Sequence, residues 1–593
     1  MIRTEKKRRM PAPRPAVRKI VKLLRIWAVL VDVLILAAAF LVLLFPGSLW
    51  TVLAVAIPLL VMMWRTRRSL TRRLKSVGAM GEYLVGRYLL LTVGLVQVAQ
   101  HGIPAWLWIP AGGLLALALE AERFEVRMHR RIRPYAAHLP GRNTEHRPRF
   151  AYGYLYSLVV LGLVLLVLTP LLGTAGAWGV LVVAVAALVY AGVSLADIVQ
   201  RTSRRSSTLR EMTTIIEEME PRFFVYWSAQ PRSAFQIKMW LPYLERLGVP
   251  FAIIVRNDAN FRDLERVVDA PLILRRTLAD LDSTIVPSTR AVFYVNNAVL
   301  NNHMIRYSEL MHIQLLHGES DKAASTNPVT RMFDRDYVAG QAAIDRFAAR
   351  GIPMPESMFR IVGRPQVEDV EAARGPIGDI DEPTVLYAPT WQGFHSNAQY
   401  SSLVHGPDLV ERLLQRGCTV VFRPHPYSYR TRKLRSACAR IKRILREDAE
   451  LTGREHLFGA VAEKEMSVFD CFNASDAMIS DVSSVVGDYL HSEKPMAMVS
   501  MHAPTDDFRR EFPTARAAYV VEGGEEGLRD VEDVLDAMLE PDPMRQVRKD
   551  FATYYLGDIP RDAYAQRFLD VARADLGITA EGEAAAHLES ASQ

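Results

Sequence analysis

The chain has 593 residues, with 72 Lys and Arg against 65 Asp and Glu for a formal net charge of +7. That is too long for one compact core, since domains usually run to ~100–200 residues. Its three cysteines, Cys418, Cys438 and Cys471, lie far apart without CxxC or metal-ligand spacing, which argues against a disulfide or zinc scaffold and for a reduced compartment. No nucleic-acid motif accompanies the basic excess; its Arg clusters flank apolar runs, the pattern of a membrane surface.

The N-terminal stretch 1–25 is basic, and the apolar run Ile26–Phe45 follows it. A transmembrane helix needs ~20 mostly apolar residues, so this run is long enough to span. Pro46-Gly47 turns the chain, and Ser48–Trp64 runs back with Trp50 and Trp64 placed as interfacial anchors. The pattern repeats as Tyr83–Val98 with Pro104–Leu119, then as Tyr152–Leu172 with Ala177–Ile198. The long connectors are rich in Arg and Lys and the short ones carry none. The positive-inside rule therefore puts the N-terminus, both long connectors and everything after Arg201 on the cytoplasmic side. About six spans are expected over 26–199. Asp32 and Arg87 are charges within these runs and are expected to pair across the first and third spans.

After a polar junction over 200–222, short apolar strand candidates alternate with helical patterns, the signature of parallel α/β layers. The first set is Phe223–Ser228, Phe251–Arg256, Leu272–Leu274, Val292–Val295, Ile313–Leu316 and Phe359–Val362. A linker rich in Gly, Pro and acid occupies 368–383. The second set is Val385–Ala388, Thr419–Phe422, Ala477–Ile479, Met496–Val499 and Ala518–Val521. The expectation is two α/β domains, 223–367 and 384–575, then a polar, disordered tail over 576–593.

Ligands of α/β sheets bind at the carboxyl ends of strands, so the residues just after the strand candidates matter most. One such segment is Gln314–Lys322, where His317-Gly318 leaves a strand and Lys322 could approach a phosphate. A strand end capped by a hydrogen-bonded His fits it equally well. A second is Arg423-Pro424-His425-Pro426, whose prolines restrict the loop so that Arg423 and His425 project with little freedom, suited to phosphate. A third is Ser480–Tyr489, where Asp481, Ser483 and Ser484 lead into a helix; hydroxyls and free N–H groups there suit an anion, although Asp and Ser are also ordinary caps. Tyr387–Thr390 opens the second domain. No carboxylate cluster marks a metal site, and no cofactor is expected. The basic run Arg430–Arg446 reads first as a solvated helix face, and otherwise as a contact for anionic lipid or a polyanionic product.

Taken together and in order, His317-Gly318 with Lys322, Tyr387–Thr390, Arg423–Pro426, and Asp481–Ser484 with Asp488 resemble the CDP-glycerol glycerophosphotransferase family of teichoic-acid primases and polymerases. Gly363-Arg364-Pro365-Gln366 is similar to that family's interdomain link. The resemblance covers about 223–573. The chain reads Glu319-Ser320-Asp321 where those polymerases often have Thr-Pro-Leu, and it adds a multi-span N-terminal region. The resemblance implies a GT-B-like region of two Rossmann-like domains with the site in the cleft between them. It implies transfer of glycerol phosphate from CDP-glycerol to a membrane-bound acceptor, with His317 and His425 catalytic and Gly318, Lys322, Thr390, Arg423, Asp481, Ser483, Ser484 and Asp488 binding substrate. The alternatives are a GT-B glycosyltransferase using a nucleotide sugar and a non-catalytic nucleotide-binding membrane scaffold.

Overall fold

The computed structural model describes residues 27–73, 83–129, 135–140, 153–230, 233–392, 400–524 and 526–578. The basic N-terminus over 1–25, most of the two long basic connectors and the tail from 579 onward lie outside the described residues. The chain divides into two compact units: Met1–Tyr135 with Thr144–Met212, and Ala136–Asn143 with Thr213–Gln593.

In the first unit six helices stand where the apolar runs predict: Trp27–Leu44, Trp50–Arg73, Leu84–Gln100, Ala105–His129, Gly153–Leu172 and the start of Thr174–Met219. Their facing sides share one apolar core, which includes Val31, Val55, Leu90, Leu115, Leu163 and Ala184. The outward side is also apolar: Phe40, Leu43, Trp50 and Val182 are 62, 67, 79 and 63 % exposed. Among the described residues two helices, Tyr154–Leu172 and Thr174–Arg204, are long and apolar enough to cross a membrane, fewer than the six spans expected. Val29–Leu44, Trp50–Arg65 and Leu84–Gln100 are shorter apolar helices, and Ala105–His129 carries Glu120, Glu122, Arg123, Glu125 and Arg127 in its second half. The expected Asp32–Arg87 pair is replaced by another. Arg87 is fully buried and forks onto Glu122, with Nη1–Oε2 at 2.5 Å and Nη2–Oε1 at 2.8 Å. The bidentate geometry of Arg with a carboxylate one helix away explains the choice.

The second unit carries two sheets. The first is built from β1 Tyr135–Ala137, β2 Phe223–Trp227, β3 Phe251–Val255, β4 Leu272–Leu274, β5 Ala291–Tyr294, β6 Met311–Gln314, β7 Arg335–Val338 and β8 Phe359–Ile361. Its order is β1-β4-β3-β2-β5-β6-β7-β8. The second is built from β9 Thr384–Ala388, β10 Thr419–Phe422, β11 Ala477–Ser480, β12 Met496–Ser500, β13 Tyr519–Gly524 and β14 Gly527–Arg529, in the order β10-β9-β11-β12-β13-β14. The pairings among β2 to β8 and among β9 to β13 are parallel, and β14 runs antiparallel to β13. Strands such as Phe251–Val255 and Met496–Ser500 are buried throughout, as continuous apolar strands covered on both faces must be.

From β4 onward the first order reverses between β2 and β5, and the second reverses between β9 and β11. Such reversal points open a crevice at the carboxyl ends of the strands, which places the site. The helix Tyr564–Leu576, expected within the second domain, returns instead to the first lobe. Phe568 packs on Trp240 at 5.3 Å between ring centroids, and the Tyr337 hydroxyl donates to Asp575 at 2.8 Å. The alternation of Phe568, Leu569, Ala572 and Leu576 on one buried face gives this helix its apolar stripe.

Candidate active site

A cleft of about 1160 Å³ opens where the two reversal points face each other. Ser228 after β2, Asn296 after β5 and His317 after β6 line it from the first lobe. Thr390 and Trp391 after β9, His425 after β10 and Ser483-Ser484 after β11 line it from the second. Of the residues singled out by sequence, His317, Gly318, Lys322, Thr390, His425, Ser483 and Ser484 meet here.

His317 is turned into the cleft by Leu316, whose backbone is left-handed with φ 51°. A residue with a branched side chain adopts that conformation only when its surroundings hold it, at a cost of ~1–3 kcal/mol. Here the Leu316 N–H donates to Gln314 Oε1 at 3.0 Å, and its carbonyl accepts from Trp240 Nε1 at 2.5 Å. Nδ1 of His317 lies 2.9 Å from the Val295 carbonyl, which can only accept, so Nδ1 carries the proton and Nε2 the lone pair. Gln236 faces that lone pair through its amide nitrogen at 3.4 Å, because Trp227 Nε1 and Asn296 Nδ2 donate to its oxygen. Burial, with Arg364 nearby, lowers the His317 pKa and keeps the ring neutral.

His425 is arranged the other way round. The Tyr427 N–H donates to its Nδ1 at 3.1 Å, so in the neutral ring the proton sits on Nε2. Trp391 stacks on the ring with centroids 6.0 Å apart and Tyr427 meets it edge-on at 5.2 Å. Burial, then Lys322 and Arg430, push its pKa down to about 4. The cleft thus holds one imidazole whose Nε2 carries a lone pair, faced by the Gln236 amide, and one whose Nε2 carries the proton.

Lys322 extends from the first lobe to donate to Thr390 Oγ1 at 3.2 Å, and burial lowers its pKa. Gly318 meets the other lobe directly: a Cβ there would lie 3.1 Å from that of Ser484, so a larger residue would force the gap apart. Ser483 stands at the start of the helix Ser484–Tyr489 and makes no side-chain cap, leaving its hydroxyl for the cleft.

Three expected site residues are placed elsewhere. Arg423 turns away, donating to the Ala462 and Met466 carbonyls, so it closes a turn instead of facing the cleft. Asp481 lies fully buried beneath the cleft and accepts from the N–H groups of Thr390 at 2.7 Å and Ser402 at 3.1 Å; burial pushes its pKa up to about 7. Asp488 is paired with Arg364 at 2.8 Å. Sequence reading passed over Gln236, Asn296, Trp391 and Tyr427 as lining residues, though Asn296 and Trp391 follow strands as closely as the histidines do. Arg364, part of the expected interdomain link, brings its guanidinium within 4.0 Å of where a Cβ on Gly318 would stand. Among the described residues no group of three or more His, Cys, Asp and Glu could hold a metal ion.

Two α/β lobes that each deliver a neutral histidine and hydroxyl groups to one cleft define a two-lobed, GT-B-like transferase. Residues 283–513 match the family model described as CDP-Glycerol:Poly(glycerophosphate) glycerophosphotransferase. That match spans less than half of the chain; over it the chain is similar to the CDP-glycerol glycerophosphotransferase family, which supports a transferase of that type. No curated protein matches the chain. Among solved structures it is similar to the wall teichoic acid polymerase TagF, at 14% identity over 65% of this chain and 96% of that one, with a TM-score of 0.40. It is also similar to S. aureus MnaA in complex with UDP, at 13% identity over 60% and 98% with a TM-score of 0.40. A UDP-N-acetylglucosamine 2-epimerase aligns at 13% identity over 61% and 97%, with a TM-score of 0.39.

Proposed function

We propose that the protein is a membrane-bound enzyme moving glycerol phosphate from CDP-glycerol to a hydroxyl of a lipid-linked or polymeric acceptor, in synthesis of a teichoic-acid-like cell-wall polymer. The observation that carries this reading is the pair of oppositely protonated histidines, one from each lobe, lining one cleft. In the proposed reaction Nε2 of His317 takes the proton of the acceptor hydroxyl as its oxygen attacks the glycerol-bearing phosphorus. The bond from that phosphorus to the CMP oxygen breaks, and CMP leaves. Phosphoryl transfer of this kind needs a positioned nucleophile and stabilised equatorial charge. The Nε2–H of His425, the Lys322 ammonium and the hydroxyls of Ser483, Ser484 and Thr390 supply donors for that charge. Asp481 and Asp488 act beneath the site, fixing Thr390 and Arg364. The lobe holding His317 is the acceptor side, and the lobe holding His425 is the donor side.

The apolar outer face of the six-helix unit supports membrane insertion, because a side chain such as Leu43 or Trp50 left in water costs hydrophobic free energy and in lipid does not. The six helices are proposed as spans, with the catalytic lobes on the cytoplasmic side as the connector charges require. A direct test is incubation of detergent-purified protein with labelled CDP-glycerol and, separately, nucleotide sugars. CMP release dependent on CDP-glycerol is expected. Turnover of a nucleotide sugar alone would replace the reading with a glycosyltransferase, and tight CDP-glycerol binding without turnover would replace it with a scaffold.

A further inference from the structure

The stretch 318–322 touches the second lobe three times: Gly318 at Ser484, Asp321 at Thr514 and Lys322 at Thr390. The middle contact is the most enclosed. Asp321 is 3 % exposed and Thr514 4 %. Oδ2 of Asp321 accepts from both the Thr514 N–H, at 2.8 Å, and the Thr514 hydroxyl. Oδ1 faces Arg346 at 3.5 Å, and Arg346 is itself held by Glu319 at 2.6 Å and lies over the Tyr555 ring. Arg350 donates to the Asp321 carbonyl at 2.8 Å. The carboxylate is therefore clamped from its own lobe by a cation and from the other by two donors.

We propose that Asp321 is a positioning residue: its bond to Thr514 fixes how far apart the lobes stand, and so sets Lys322 against Thr390 and His317 opposite His425. This rests on the transfer reading above. A charged acceptor with two donors, shielded from water, holds a geometry far more firmly than the exposed contacts around the cleft mouth. No part of Asp321 needs to touch substrate.

The test uses the full chain in detergent, spin-labelled at Arg266→Cys and Arg446→Cys, which are exposed positions on the two lobes; the native cysteines are buried. Asp321→Asn should lengthen or broaden the distance distribution and lower kcat for CMP release by about ten-fold or more, with CDP-glycerol affinity changed only a few-fold. Thr514→Val should do the same to a smaller degree, the double variant should be no worse than Asp321→Asn alone, and Thr514→Ser should behave as wild type. Unmoved distances, or strictly additive losses in the double variant, overturn the proposal. If Asp321→Asn does not fold, the Thr514 pair decides it. A wild type that releases no CMP sinks the transfer reading and this proposal together, whereas wild-type turnover with unmoved distances sinks this proposal alone.

Discussion

His317 donates from Nδ1 to a carbonyl whereas His425 accepts at Nδ1 from an N–H, so the two rings turn opposite chemical faces to one cleft. A base contributes typically ~10²–10⁴-fold to rate and a charge-stabilising donor ~10²–10³-fold. His317→Ala should lower the rate of CMP release within that range while leaving CDP-glycerol binding nearly intact. His425→Ala should lower the rate and weaken binding as well. Isothermal titration beside a turnover assay separates the two effects, and if both variants keep more than about a tenth of the activity the proposed roles are wrong.

The neutral state of these rings predicts a pH dependence. His425 titrates near 4 in the fold and near its ordinary 6.5 in the unfolded chain. Between those values the unfolded chain binds the extra proton, so its contribution to stability is fully present above 6.5 and is lost as pH falls through about 4. The urea midpoint should rise from pH 5 to pH 7.5, and the rise should be smaller in His425→Gln. Because the His317 pKa is also lowered, the acid limb of kcat/KM should lie below 6.5; a limb at or above that value would contradict the assigned base.

Arg87 and Glu122 form a fully buried pair, and removing one partner strands the other. Arg87→Met alone should destabilise the helical unit by ~3–5 kcal/mol, and Arg87→Met with Glu122→Leu should recover much of that loss. Thermal unfolding in detergent reads both. A loss in the double variant equal to the sum of the Arg87→Met and Glu122→Leu losses would mean that the pair is not coupled.

Orientation is open to labelling in intact cells. Cysteines introduced at Gly102 and Thr174 should react with an impermeant thiol reagent, and one at Ser206 should not. Reaction at Ser206 without lysis would invert the topology and move the catalytic lobes to the outside.

The strands legible in the sequence are those carried by unbroken apolar runs. Arg335–Val338 escaped because it opens with Arg335 and Asp336, yet Asp336 is buried within the sheet. Tyr135–Ala137 escaped because three residues inside a basic connector give no period to read. His317 and His425 each follow a strand and line the cleft, but so do Asn296 and Trp391, whose residue types carry no comparable chemical signal. Arg423 also follows a strand, but its guanidinium donates to the Ala462 and Met466 carbonyls and does not line the cleft. No sequence pattern distinguishes these directions without the partner strand. Three of the eight cations in the basic run after His425 are ion-paired, Arg440 with Glu411, Lys442 with Glu463 and Arg443 with Glu447.

The return of Tyr564–Leu576 to the first lobe bears on how the protein is made. Tyr337 and its partner Asp575 are 238 residues apart, so the lobe that leaves the ribosome first stays unfinished while the whole second lobe is synthesised. During that interval Trp240, Tyr243 and Tyr337 lack the Phe568 ring that covers them, which makes the nascent chain a target for chaperones and prone to aggregate. The proposed insertion of the helices ahead of it would tether the emerging chain and keep such intermediates apart, so expression of the two lobes without those helices should give more insoluble product than expression of the whole.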